Sequence, residues 1–82
     1  MIADNSISIY PNPFTSQTTI SFSTEQTNTS IKLTDVVGKE IITANFTSTQ
    51  YILEKGIMKP GIYFVQITDA SKNVVNRKVV VQ

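Results

Sequence analysis

The side chains from which active sites are usually built are almost missing from this sequence. It contains no histidine, so the commonest general base and the commonest metal ligand are both absent. It contains no cysteine either, which removes disulfides, thiolate nucleophiles and cysteine-based zinc sites together. The six carboxylates, Asp4, Glu25, Asp35, Glu40, Glu54 and Asp69, are scattered singly along the chain, so no pair is set up for acid and base work. The residue types argue against an enzyme and call for no metal or cofactor. A net charge of +1, with lysines and acids interleaved, gives no electrostatic footprint for nucleic acid or an anionic membrane.

What stands out instead is backbone chemistry. Pro11 and Pro13 cannot donate a hydrogen bond, and Asn12, preceding a proline, is pushed toward an extended conformation. Gly38 falls between two β-forming runs, where a positive φ is expected, and Pro60-Gly61 is a turn signal in front of the longest β-run in the chain. These residues punctuate strands. Alternating apolar and polar positions predict strands at 6–10, 18–23, 31–35, 40–46, 50–53, 61–69 and 74–81. Ile20, Phe22, Ile31 and Leu33 should point inward, and Thr24 to Ser30 reads as a polar turn. The 61–69 run has apolar residues on both parities and reads as a central strand, forming a hairpin with 74–81.

With 82 residues, 40% hydrophobic and 16% charged, residues 1–82 form a single domain with one core. No stretch carries helical apolar spacing over a helical length, although Ile52 to Met58 could form a single turn. Seven short strands with polar turns predict an all-β fold, a small immunoglobulin-like antiparallel β-sandwich whose strand order is not fixed by sequence. No apolar run approaches the roughly 20 residues of a membrane span, so no direct membrane insertion is expected. Met1-Ile2-Ala3-Asp4 has no signal-peptide character, so an export signal would have to lie on a longer precursor.

Four segments, taken in order, resemble a known family: Ile7-Ser8-Ile9-Tyr10-Pro11-Asn12-Pro13-Phe14, Leu33-Thr34-Asp35-Val36-Val37-Gly38-Lys39-Glu40, Gly61-Ile62-Tyr63-Phe64-Val65, and Lys78-Val79-Val80-Val81-Gln82. Together they look like the C-terminal sorting domain of the type IX (Por) secretion system, type A. The resemblance implies a non-catalytic signal at the end of a protein secreted by a Gram-negative bacterium of the Bacteroidetes. Its upstream passenger would reach the periplasm by a separate signal and then be handed to the outer-membrane translocon and carried to the cell surface. A sortase would remove the domain by cleaving just upstream of the first strand, at or before Met1 to Asn5. The connection Glu54 to Lys59 departs from the family, which has a leucine and one or two polar residues there.

The resemblance singles out Tyr10, Pro11, Asn12, Pro13, Gly38, Gly61, Tyr63, Lys78, Val79 and Val80 as recognition or motif residues. Each has a structural reading as well. Prolines keep strand edges from pairing with other chains, Gly61 answers a turn, Tyr63 is a core ring with its hydroxyl at the rim, and Lys78 is a charge guarding an edge strand. The rival function is an immunoglobulin-like adhesion or carbohydrate-binding module. Such modules display aromatics, whereas Phe14, Phe22, Tyr63 and Phe64 sit here in patterns that suit burial.

Overall fold

The computed structural model describes residues 7–82, which form one curled antiparallel sheet of five strands: β1 (Ile7–Tyr10), β2 (Gln17–Thr34), β3 (Glu40–Glu54), β4 (Gly61–Thr68) and β5 (Val74–Val81). The path runs β1-β2-β4-β5, and β3 pairs with β2 along β2's other side. The first half of β2 lies between β1 and the end of β3, and its second half lies between the start of β3 and β4.

The all-β, antiparallel expectation stands, but the seven-strand count does not. The runs 18–23 and 31–35 are two halves of β2, and 40–46 and 50–53 are two halves of β3. The polar segment from Thr24 to Ser30 bends the strand instead of ending it. It has no Gly or Pro to reverse the chain, and Gln26 and Thr29 are buried in it, the Thr29 hydroxyl donating to Gln26 Oε1 at 3.3 Å. Between Ser21 and Thr29 β2 takes eight steps while β3 takes four, from Gln50 to Phe46, so β2 is the outer rail of the bend. The inward set changes across the bend, from even-numbered at Ile20 and Phe22 to odd-numbered at Ile31 and Leu33.

Curling brings the two halves of the sheet onto one core. Ile7, Ile20, Phe22 and Leu53 from one half join Ile31, Leu33, Val65, Ile67 and Val79 from the other in a single buried cluster. Three aromatics sit at the bend, Phe46 lying 5.3 Å from Phe22 and 5.6 Å from Tyr51, separations at which ring pairs attract. Met58, in the turn after β3 where its N–H donates to Lys55 C=O at 2.8 Å, is buried in the same cluster.

The two remaining hairpins use one turn twice. In Thr34-Asp35-Val36-Val37-Gly38-Lys39 the Asp35 carboxylate accepts the N–H groups of Val37 and Lys39, and the fourth turn position, Gly38, has φ +89°. In Thr68-Asp69-Ala70-Ser71-Lys72-Asn73 the Asp69 carboxylate accepts those of Ser71 and Asn73, and the fourth position is Lys72 at φ +71°. The expected positive φ at Gly38 is present, and its twin position is filled by a residue for which that conformation is strained.

β4 has a neighbour on each side, as its reading as a central strand required. Its burial is one-sided, however. Tyr63, Val65 and Ile67 are buried, whereas Ile62 is 44% and Phe64 42% exposed. Phe64 faces solvent because it stands opposite Lys78 and Thr34 on the outer face of the sheet, which no other layer covers among the described residues. The expectation that Phe64 is buried is therefore corrected.

Candidate functional site

The two ends of the described chain meet. After β1, the segment Pro11-Asn12-Pro13-Phe14 leaves the sheet edge and runs along the outer side of β5, the side not paired with β4. Both X-Pro bonds, Tyr10-Pro11 and Asn12-Pro13, are cis. The proline nitrogens have no proton to give, so side chains supply the pairing there. The Asn12 amide does this with both of its ends: Nδ2 donates to Lys78 C=O at 3.1 Å, and Oδ1 accepts the Val80 N–H at 2.9 Å. One residue later the backbone takes over. The Phe14 N–H donates to Val80 C=O at 3.0 Å, and the Gln82 N–H donates to Phe14 C=O at 2.8 Å, a parallel bridge centred on Val81.

Four successive edge groups of the terminal strand, from the Lys78 carbonyl to the Gln82 amide, are thus occupied by the chain's own N-terminal segment. A sheet edge in this state cannot accept another strand, which is how natural sheets avoid edge-to-edge association. The segment itself is fastened at two points. Phe14 is 1% exposed in the core, and the fully buried Thr18 donates its hydroxyl to Pro11 C=O at 2.6 Å.

The structure brings together most of the residues expected to act in recognition. Pro11, Asn12 and Pro13 line up beside Lys78, Val79 and Val80, and Tyr10, 79% exposed, ends β1 immediately before them. Gly61 and Tyr63 lie on the other side of β5, opposite Val81 and Val79. Gly61 has φ +154°, a region that side-chain-bearing residues rarely adopt. The Tyr63 ring is buried and its hydroxyl donates to Lys59 C=O at 2.7 Å. Val79 points into the core while Lys78 is exposed on the opposite face. Arg77, which shares with Lys78 the interruption of the apolar run, is on the core-facing parity and half-buried. Gly38 stands apart, in the turn between β2 and β3.

Three contributors were not singled out by sequence reasoning: the Thr18 hydroxyl, the Phe14 backbone and the Gln82 amide. An asparagine between two prolines is the one signal that pointed this way, because it is the only side chain in that tripeptide able to pair with a strand edge.

Comparison with known proteins gives the family and the fold. The family model described as "Secretion system C-terminal sorting domain" matches residues 8–82. The chain is 32% identical, over 99% of its length, to an endo-acting ulvan lyase of Formosa agariphila, of which it spans only 16%. Among solved structures it is similar to PorZ, described as an essential bacterial surface component of the type IX secretion system of Porphyromonas gingivalis. The TM-score is 0.81 at 23% identity, over 95% of this chain and 12% of that one. It also shares its fold with CopC from Methylosinus trichosporium, with a TM-score of 0.61, 14% identity and 93% coverage of each chain.

Proposed function

The chain belongs to the family of secretion system C-terminal sorting domains, and on that premise we propose that it addresses an upstream passenger to the type IX translocon. The passenger is carried through the periplasm to the outer membrane and on to the cell surface or beyond, and a sortase removes the domain. The expected cleavage point, at or before Met1 to Asn5, lies outside the described residues.

The observation that carries the mechanism is the closed edge of β5. A translocon component that reads this domain meets a rigid composite surface, with Pro11, Asn12 and Pro13 on one flank and Lys78 and Val80 on the other, in place of a free strand end. Recognition then depends on folding, because neither segment presents that surface alone. Lys78 supplies the charge, projecting from the outer face opposite Phe64.

The burial of Phe14, Phe22 and Tyr63 argues against the adhesion-module alternative, and the exposed Phe64 weakens that argument. Membership of the sorting family supports the transport reading over the adhesion module. The test is a folded reporter fused ahead of residues 1–82 and expressed in a type IX-competent bacterium. Surface reporter in the competent strain and its retention in a translocon-deficient strain are expected. Equal surface levels in both strains would reject the proposal.

A further inference from the structure

Thr18 is a polar residue at a core position. It belongs to the even-numbered set of β2 that points inward with Ile20 and Phe22, and like Ile20 it is fully buried. A hydroxyl taken out of water needs a partner, because leaving it unpaired is costly. Among the described residues that partner is the Pro11 carbonyl, at 2.6 Å. The sheet register explains why the two meet. β1 pairs with β2 from Ile7 opposite Phe22 to Tyr10 opposite Thr19, and one further step in the same register sets Pro11 opposite Thr18. Pro11 has no N–H with which to continue the ladder, and the Thr18 hydroxyl supplies the contact.

Pro11 and Phe14 bracket Asn12. Phe14 is held in the core and by its bridge to β5, so that end of the segment is fixed independently of Pro11. Pro11, Asn12 and Pro13 are all exposed, and both Asn12 bonds to the terminal strand face solvent, where water competes for the same groups. Bonds of this kind gain most from an amide already held in place, because less freedom is lost when they form. The Thr18 hydroxyl holds the Pro11 end. Its side chain is shielded from water, and it grips the residue directly before Asn12.

We propose that Thr18 is a positioning residue of the sorting signal: its hydroxyl, rather than its packing, sets Pro11 and so presents Asn12 to Lys78 C=O and Val80 N–H on β5. This rests on the reading of the Pro-Asn-Pro segment and the terminal strand as the recognised surface.

Two variants separate the roles. Thr18→Val keeps the shape of the side chain and removes the hydroxyl, and the Pro11 carbonyl left behind is on an exposed residue, where water can pair with it. Thr18→Ser keeps the hydroxyl and loses a buried methyl group. Amide hydrogen exchange and thermal unfolding of the 82-residue chain are measured for each. In Thr18→Val the Val80 amide should exchange at least fivefold faster, while those of Val65 and Ile67 keep their protection and the melting temperature does not fall. In Thr18→Ser the Val80 amide should keep its protection relative to Val65 and Ile67, although the melting temperature drops. With a reporter fused ahead of the chain in a type IX-competent bacterium, Thr18→Val should lower surface display at least threefold, and Thr18→Ser should keep it near the intact level. Val80 exchange within twofold of the native rate in Thr18→Val, or loss of Val80 protection in step with melting temperature in both variants, would overturn the inference by making Thr18 a packing residue. Undiminished display of Thr18→Val beside a displayed intact segment would overturn it too. Failure of the intact segment to reach the surface would reject the sorting reading, and the exchange rates would then decide whether the hydroxyl sets Pro11.

Discussion

Among the described residues, Asn12 is the side chain whose hydrogen bonds span the gap between the Pro-Asn-Pro segment and the terminal strand, and Asn12→Ala removes it. Two hydrogen bonds disappear, at 3.1 Å to Lys78 C=O and 2.9 Å from Val80 N–H. A typical intramolecular hydrogen bond contributes about 0.5–1.5 kcal/mol net, and both of these are solvent-exposed, so water replaces the lost partners without a large desolvation penalty. The expected loss is therefore about 1–2 kcal/mol, with Phe14 and its bridge to Val81 left in place. Equilibrium urea unfolding should show a lower midpoint at unchanged slope, since the core is untouched. Hydrogen exchange localises the effect. The Val80 amide should lose protection while those of Val65 and Ile67 in β4 keep theirs. Asn12→Asp keeps an acceptor for Val80 but sets a carboxylate oxygen against the Lys78 carbonyl, so it should not restore wild-type stability. An unchanged midpoint together with unchanged Val80 exchange would refute the idea that Asn12 holds the edge closed.

Gly61→Ala should destabilise the domain, and Gly61→Val should do so more, because φ +154° lies in a region essentially reserved for glycine and costs other residues on the order of 1–3 kcal/mol; equal, near-zero losses in urea unfolding would contradict this. Lys72→Gly should stabilise by about 0.5 kcal/mol, relieving a positive φ at the position where the sister turn already has Gly38, and should raise the melting temperature by roughly 2–4 °C. Lys78→Glu, on an exposed side chain, should change stability by no more than about 0.5 kcal/mol in the same assay. Deletion of Lys78 to Gln82 removes the buried Val79 and Val81, at about 1.5–3 kcal/mol each. That is a large share of the total of roughly 4–12 kcal/mol expected for 82 residues, so circular dichroism should show a partly unfolded population.

Local sequence signals described the strands well and their continuity poorly. Alternation located Ile20, Phe22, Ile31 and Leu33 on the core face because one buried face imposes a period of two on each short run. The turn at Gly38 was legible for the same local reason, a glycine between two β-runs. The bend in β2 was not, since Thr24 to Ser30 has the polar composition of a turn and shows its nature only through the long-range pairing of Gln26 with Ser48 and Thr29 with Phe46. The change of inward parity between Phe22 and Ile31 was visible in the sequence and is the trace that a bulge leaves. Phe64 misled because both parities of its strand are apolar, and only the sheet order reveals which face is covered. For the closed edge of β5, the two motifs were each readable, but their meeting was not, because 66 residues separate Asn12 from the carbonyl it binds.

We propose that this chain acts as a folded sorting signal read at the joined Pro-Asn-Pro segment and terminal strand. The most direct measurement is the amount of reporter reaching the surface of a type IX-competent bacterium when fused ahead of residues 1–82, ahead of the same segment carrying Lys78→Glu, and ahead of one lacking Lys78 to Gln82. Surface display is expected for the intact segment, strong impairment for Lys78→Glu although that domain remains folded, and none for the truncation. Display of the truncated fusion at the level of the intact one would contradict it.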